Sequence, residues 1–200
     1  MPNVRSVTVY AGSSTRATAE HLQLARALGE AIARQGWVVV YGGANVGLMG
    51  ALADAALDAG GRVEGVILDT FARVAHASLH DLVTVNDMRS RKAGLAHRGD
   101  AYVVLPGGYG TLEELSEILV ERQLVLHRKP LVIVNHHGFW DPLLALVERQ
   151  IADQLVKPKY RDLMTVVPDA AGAVAAILRH AQAPDPAPNT DEVGADKLQG

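Results

Sequence analysis

Short apolar runs alternate with longer segments of helical spacing along almost the whole chain. Runs at residues 4–10, 37–41, 62–68, 101–105, 130–135 and 164–167 are apolar and mostly rich in β-branched residues, with a shorter one at 82–85. Between them, residues 18–34 place Leu22, Ala25, Leu28 and Ile32 on one helical face, and 48–59, 87–99, 112–127, 140–154 and 170–180 also read as helices. Strands that alternate with helices imply a parallel sheet covered on both faces, and largely apolar strands fit that burial. Residues 69–81 lack periodicity and are expected to form a mobile loop carrying His76 and His80. From residue 183 onward Pro184, Pro186 and Pro188 alternate with small and acidic residues, so 183–200 reads as a disordered tail behind one domain at 1–182.

Two hundred residues can bury a large core without staples. A net charge of −3 argues against general nucleic-acid or membrane binding, because both normally need a basic face. The absence of cysteines excludes disulfides and is compatible with a reducing cytoplasm, the expected location. Residues 1–5 run directly into a strand with no signal-peptide pattern. The uncharged stretch between Arg34 and Asp54 carries Gly36, Gly42, Gly43, Gly47 and Gly50, which suits a strand, loop and helix rather than a membrane span.

Ligands of such sheets bind beyond the carboxyl ends of the strands. Three turns fall there: Gly12-Ser13-Ser14, then Gly42-Gly43-Ala44-Asn45-Val46-Gly47, then Pro106-Gly107-Gly108-Tyr109-Gly110-Thr111. A glycine turn opening a helix offers backbone N–H groups to phosphate. Each turn alone is ordinary in an α/β chain; three at one sheet edge point to a ligand. None matches the Walker A or G-x-G-x-x-G pattern, which favours a mononucleotide over a triphosphate or dinucleotide.

Glu113 and Glu114 follow the third turn, about 100° apart around the helix, so they face different surroundings. One can complement the helix dipole while the other faces the cleft to stabilise a cationic sugar or activate water. Arg89, Arg91 and Lys92 begin a helix, where cations are unfavourable unless something else holds them; an arginine fork suits phosphate. His136-His137 ends a strand, and His21, His97, His127 and His180 are placed in helices as surface or partner contacts. No histidine spacing suggests a metal site, and no cofactor is expected.

The stretch from Pro106 to Glu114 resembles the P-G-G-x-G-T-x-x-E signature of the Lonely Guy family of cytokinin riboside 5′-monophosphate phosphoribohydrolases. Met88-Arg89-Ser90-Arg91-Lys92 is similar to the family's M-x-x-R-K segment, and Tyr41 to Gly50 to its Y-G-G-G-x-x-G-L-M-G segment. The resemblance runs in order from about residue 7 to 167. It implies a Rossmann-like doubly wound sheet, a homodimer and hydrolysis of the N-glycosidic bond of nucleoside 5′-monophosphates. It makes Arg91 and Glu114 the catalytic pair. Ser13, Ser14, Gly42, Gly43, Met88, Arg91, Lys92, Gly107, Gly108, Tyr109, Gly110, Thr111 and Glu113 become substrate or phosphate contacts.

Members of the family have often been labelled lysine decarboxylases, yet no pyridoxal-phosphate lysine site can be read. Ala44 stands where the family usually has a third glycine and can serve there if φ is negative. Residues 71–81 do not match the family's substrate loop. The alternatives are a non-catalytic nucleotide or molybdenum-cofactor carrier on the same scaffold, or another nucleotide-processing enzyme such as a phosphatase or phosphoribosyl transferase.

Overall fold

The computed structural model describes residues 4–182; the tail expected at 183–200 lies outside them. Seven strands, β1 (Ser6–Tyr10), β2 (Val38–Tyr41), β3 (Val63–Leu68), β4 (Asp81–Val85), β5 (Ala101–Val104), β6 (Leu131–Val134) and β7 (Thr165–Val167), form one sheet in the order β4-β3-β2-β1-β5-β6-β7. All pairings are parallel. The order reverses between β1 and β5, whose register sets Val7 opposite Ala101 and Tyr10 opposite Val104. In a doubly wound sheet this reversal opens a crevice beyond the strand ends.

Six helices cover the sheet: α1 (Ala19–Arg34), α2 (Gly47–Asp58), α3 (Met88–Arg98), α4 (Tyr109–Gln123), α5 (Asp141–Ala152) and α6 (Ala170–Gln182). Leu24, Leu28 and Ile32 of α1, Leu52 and Ala56 of α2 and Ile177 of α6 bury against Val7, Val9, Val39 and Val103 on one face. Leu95 of α3, Leu115 and Ile118 of α4 and Leu143, Leu144 and Val147 of α5 pack against Tyr10, Val40, Tyr102 and Ile133 on the other. Leu143, Leu144 and Val147 are only partly buried, whereas a fully buried side chain such as Leu28 or Ile118 stabilises the fold by roughly 1.5–3 kcal/mol. Thr8 is the polar exception in β1, and its hydroxyl donates to the Leu95 carbonyl at 2.8 Å.

Local signals set the helix starts. Thr18 caps α1 by accepting from the His21 N–H at 3.3 Å, and Asp87 caps α3 by accepting from Ser90 at 2.9 Å. Helix α4 departs from its expected span. It begins at Tyr109, not 112, because the turn winds straight into the helix through Gly110, a residue that carries no helical signal. It ends at Gln123, and Val125 adopts φ 59°, so His127 lies beyond the helix rather than in it.

The segment expected to be a mobile loop is tied down. Asp69–Val74 is a 3₁₀ helix. Beyond it the Asn45 N–H donates to the Val74 carbonyl at 2.8 Å, and the His76 N–H to the Gly43 carbonyl at 2.9 Å. The His76 ring accepts from the Ser78 N–H at Nδ1 and donates from Nε2 to Asp54 at 3.1 Å. Two further 3₁₀ helices, His136–Gly138 and Pro158–Leu163, were invisible to periodicity because one or two turns carry no repeat.

Candidate active site

The three glycine turns meet. The Gly12 N–H donates to the Pro106 carbonyl at 3.1 Å, and the Leu48 N–H to the Gly12 carbonyl at 2.9 Å. A Cβ on Gly12 would stand 3.2 Å from the Cα of Gly107. Gly47 combines φ +60° with a Cβ direction that ends 2.6 Å from the Ser13 carbonyl carbon, so only glycine lets the first turn settle on the second. Ala44 is absent from the positive-φ positions and bridges Ala75, so alanine serves where a third glycine was expected.

The third turn is built differently at its two ends. A Cβ on Gly107 would run into the Thr111 side chain, whereas Cβ atoms on Gly108 and Gly110 would meet open space. No side chain caps α4, and Leu112 is the first to turn back, donating to the Gly108 carbonyl at 3.0 Å. The first amides of a helix lack intrahelical acceptors, so this uncapped start offers its N–H groups to an anion. The Thr111 hydroxyl is buried beside them, while Tyr109 is 93% exposed at the rim.

Beneath the turn, α3 and α4 face each other with complementary charge. Arg91 Nη1 donates to Glu114 Oε1 at 2.8 Å, and both side chains are buried. The Arg91 guanidinium lies over Gly42, where a Cβ would collide with Nη2. Burial pushes the Glu114 carboxyl above the usual carboxylate range, against the pull of the Arg91 cation and its hydrogen bond. One position on, Lys92 Nζ donates to Glu113 at 2.8 Å and lies 3.1 Å from a Glu117 oxygen. Those hydrogen bonds raise the Lys92 pKa. The expectation that the two glutamates face different surroundings therefore holds: Glu114 is 4% exposed, while the Glu113 side chain is 51% exposed. Cations tolerated at the start of α3 are held by the acids of α4.

A cavity of about 770 Å³ opens over these groups. Ser13, Ser14, Gly42, Met88, Arg91, Gly107, Gly108, Tyr109, Gly110, Thr111 and Glu114 all line it. Gly43, Lys92 and Glu113 do not: Gly43 turns the chain at φ +78°, and Lys92 and Glu113 pair beside the cavity. One wall is apolar, with Met49, Ile67, Phe71 and Val74. His21 and Phe139 line the same cavity, neither foreseen. Their segments, the start of α1 and the turn before α5, follow the carboxyl ends of β1 and β6, and that was the available signal. His21 was assigned to the surface because helical spacing does not show which sheet edge a helix start overhangs.

Among the described residues no lysine lines the cavity and Lys92 is held by two carboxylates, so a pyridoxal phosphate bound as a Schiff base does not fit. No group of three or more His, Asp or Glu among the described residues is placed to hold a metal ion. No helix among them is long and apolar enough to cross a membrane.

Residues 49–177 match a family model described as "Possible lysine decarboxylase". A relative from Rhodococcoides fascians, named cytokinin riboside 5′-monophosphate phosphoribohydrolase, is 45% identical over 88% of this chain and 90% of its own. The Arabidopsis thaliana protein of that name designated LOG5 is 34% identical over 83% of this chain and 74% of its own. Among solved structures, the molybdenum cofactor carrier protein of Chlamydomonas reinhardtii superposes with a TM-score of 0.69 at 20% identity, covering 90% of this chain and all of the carrier, a likeness of fold. With more than half of its length matched and relatives this similar over most of both chains, the chain belongs to the Lonely Guy family.

Proposed function

We propose that the cavity hydrolyses the N-glycosidic bond of nucleoside 5′-monophosphates, giving free base and ribose 5-phosphate. The observation that carries this reading is the buried Arg91–Glu114 pair directly beneath an uncapped helix start whose Gly108 and Gly110 leave open space. The amides of residues 108–111 and the Thr111, Ser13 and Ser14 hydroxyls hold the 5′-phosphate. Glu114, made more basic by burial, stands by the ribose to offset the developing oxocarbenium charge and take a proton from water. Arg91 orients Glu114 and offsets negative charge on the ligand. The apolar wall of Met49, Ile67, Phe71 and Val74 suits an adenine with an apolar N6 substituent, in keeping with the cytokinin ribosides in the relatives' names.

A homodimer belongs to the same reading. The outer face of α4 leaves Tyr109, Leu112, Val120 and Leu124 exposed in a stripe, followed by Val125 and Leu126. Apolar surface of this extent beside a site is what a partner copy covers.

The carrier alternative rests on a likeness of fold alone and leaves the buried ion pair without a task. Incubation with AMP and with isopentenyladenosine 5′-monophosphate separates the two. Hydrolysis releases base and ribose 5-phosphate, and Glu114→Gln lowers turnover by roughly 100-fold or more. A thermal shift without base release, or near wild-type turnover of Glu114→Gln, sinks the assignment.

A further inference from the structure

Breaking the C1′–N9 bond sends its electron pair into the purine, which leaves poorly unless it gains a proton. Water attacks C1′ from the side opposite the base. The group that takes water's proton and the group that gives one to the base therefore stand on opposite sides of the sugar, and Glu114 cannot fill both places. A guanidinium is too weak an acid to give up a proton in this step. The Ser13, Ser14 and Thr111 hydroxyls are weak acids, and the Tyr109 phenol is 93% exposed at the rim.

Among the described residues, His21 is the imidazole that lines this cavity. It belongs to α1, which packs on one face of the sheet, whereas Glu114 belongs to α4 on the other, so the two approach the cavity from opposite sides. The His21 N–H of the backbone is taken by the Thr18 cap. Its ring stands edge-on to Phe139, centroids 5.7 Å apart at 86°, and 6.4 Å from the His136 ring. Among the described residues no protein atom hydrogen-bonds either ring nitrogen. The ring is thus fixed by aromatic contacts while its polar edge stays available.

We propose that His21 is the proton donor to the departing base, a role that rests on the hydrolase reading above. As the C1′–N9 bond breaks, a proton passes from a His21 ring nitrogen to N7 of the purine. The water oxygen bonds to C1′ and its proton goes to the Glu114 carboxylate. Glu114 then releases that proton to solvent and His21 takes one up, so the net change is the addition of one water. Of the titratable and charged groups, His136 from the 3₁₀ helix after β6 meets the His21 ring and has His137 beside it, Glu114 and Tyr109 from α4 and Arg91 from α3 share its cavity, and Glu20 and Arg16 are its neighbours in sequence.

The experiment compares AMP with N7-methyl-AMP, whose base leaves neutral without a proton. His21→Gln, and His21→Phe to preserve the packing on Phe139, are expected to lower kcat on AMP by roughly 100-fold with little change in KM, and on N7-methyl-AMP by less than about 5-fold. Both variants also lose the fall in kcat at high pH that marks an essential acid. Equal losses on the two substrates, near wild-type turnover of AMP, or an unchanged basic limb would overturn the role of His21. A wild-type protein that releases base from neither substrate overturns the hydrolase reading itself, and is recognised because the native enzyme is then inactive.

Discussion

At the scale of single residues, the site is governed by a conflict inside one ion pair. Glu114 has an arginine partner at 2.8 Å, yet burial outweighs that attraction and lifts its pKa. Its carboxylate is therefore costly to keep, and more basic for being so. Removing the partner as Arg91→Leu is expected to destabilise the protein by about 3 kcal/mol at pH 8, because it strands a buried charge. The sign with pH follows from linkage. A folded pKa above the unfolded one means that the native carboxyl holds its proton where the unfolded chain has lost it. Without the Arg91 cation the carboxyl titrates higher still, so the penalty of Arg91→Leu is full above the variant's pKa and shrinks as pH falls through it. Urea unfolding at pH 8 and pH 5 checks this, and equal penalties at both would show that burial does not dominate. The sequence displayed the divergence of Glu113 and Glu114 through their angular separation. It did not display which cation each would meet, since that depends on α3 lying beside α4 across 21 to 23 residues of chain.

At the scale of elements, the glycines of the turns divide into those the fold needs and those it does not. Gly47 is required by its positive φ and by the backbone of Ser13 and Ser14. Gly110 sits in the first turn of α4 with open space where a Cβ would go, although alanine is favoured over glycine in a helix by about 1 kcal/mol. Opposite outcomes are expected. Gly47→Ala lowers stability by more than about 1 kcal/mol and raises KM by shifting the first turn. Gly110→Ala leaves stability unchanged or raises it by up to about 1 kcal/mol, yet raises KM for the nucleotide because the methyl stands where phosphate approaches. Thermal unfolding and steady-state kinetics of the two variants read both effects. The sequence showed three glycine turns at one edge but could not sort their glycines, because the distinction lies in what the missing Cβ would touch. It also carried no sign that residues 74–76 would fasten to the second turn through the Gly43 and Asn45 backbone, since those bonds use no distinctive side chain.

For the whole molecule, alternating apolar and amphipathic segments were enough to read a parallel sheet with two covered faces. The strand order was not readable from periodicity, because it depends on where each crossover lands. That order decides how the site is assembled. With α4 at the cavity and its outer stripe exposed, the double variant Val120→Lys, Leu124→Lys is expected to turn a dimer into a folded monomer, as read by sedimentation and circular dichroism. A wild-type protein that sediments as a monomer would remove the homodimer from this account.

The adjacency of β1 and β5 has a further consequence in time. Val7 pairs with Ala101, so one edge of the central strand has no neighbour until 94 more residues have been made. At ribosomal speeds of about 5–20 residues per second that is a wait of roughly 5–20 s. During it β1, β2 and β3 can associate on one side only, leaving an apolar strand edge uncovered. The strand pair that later frames the glycine turn at 106–111 is thus the one that a chaperone, or a stray strand from another chain, has the longest opportunity to reach first.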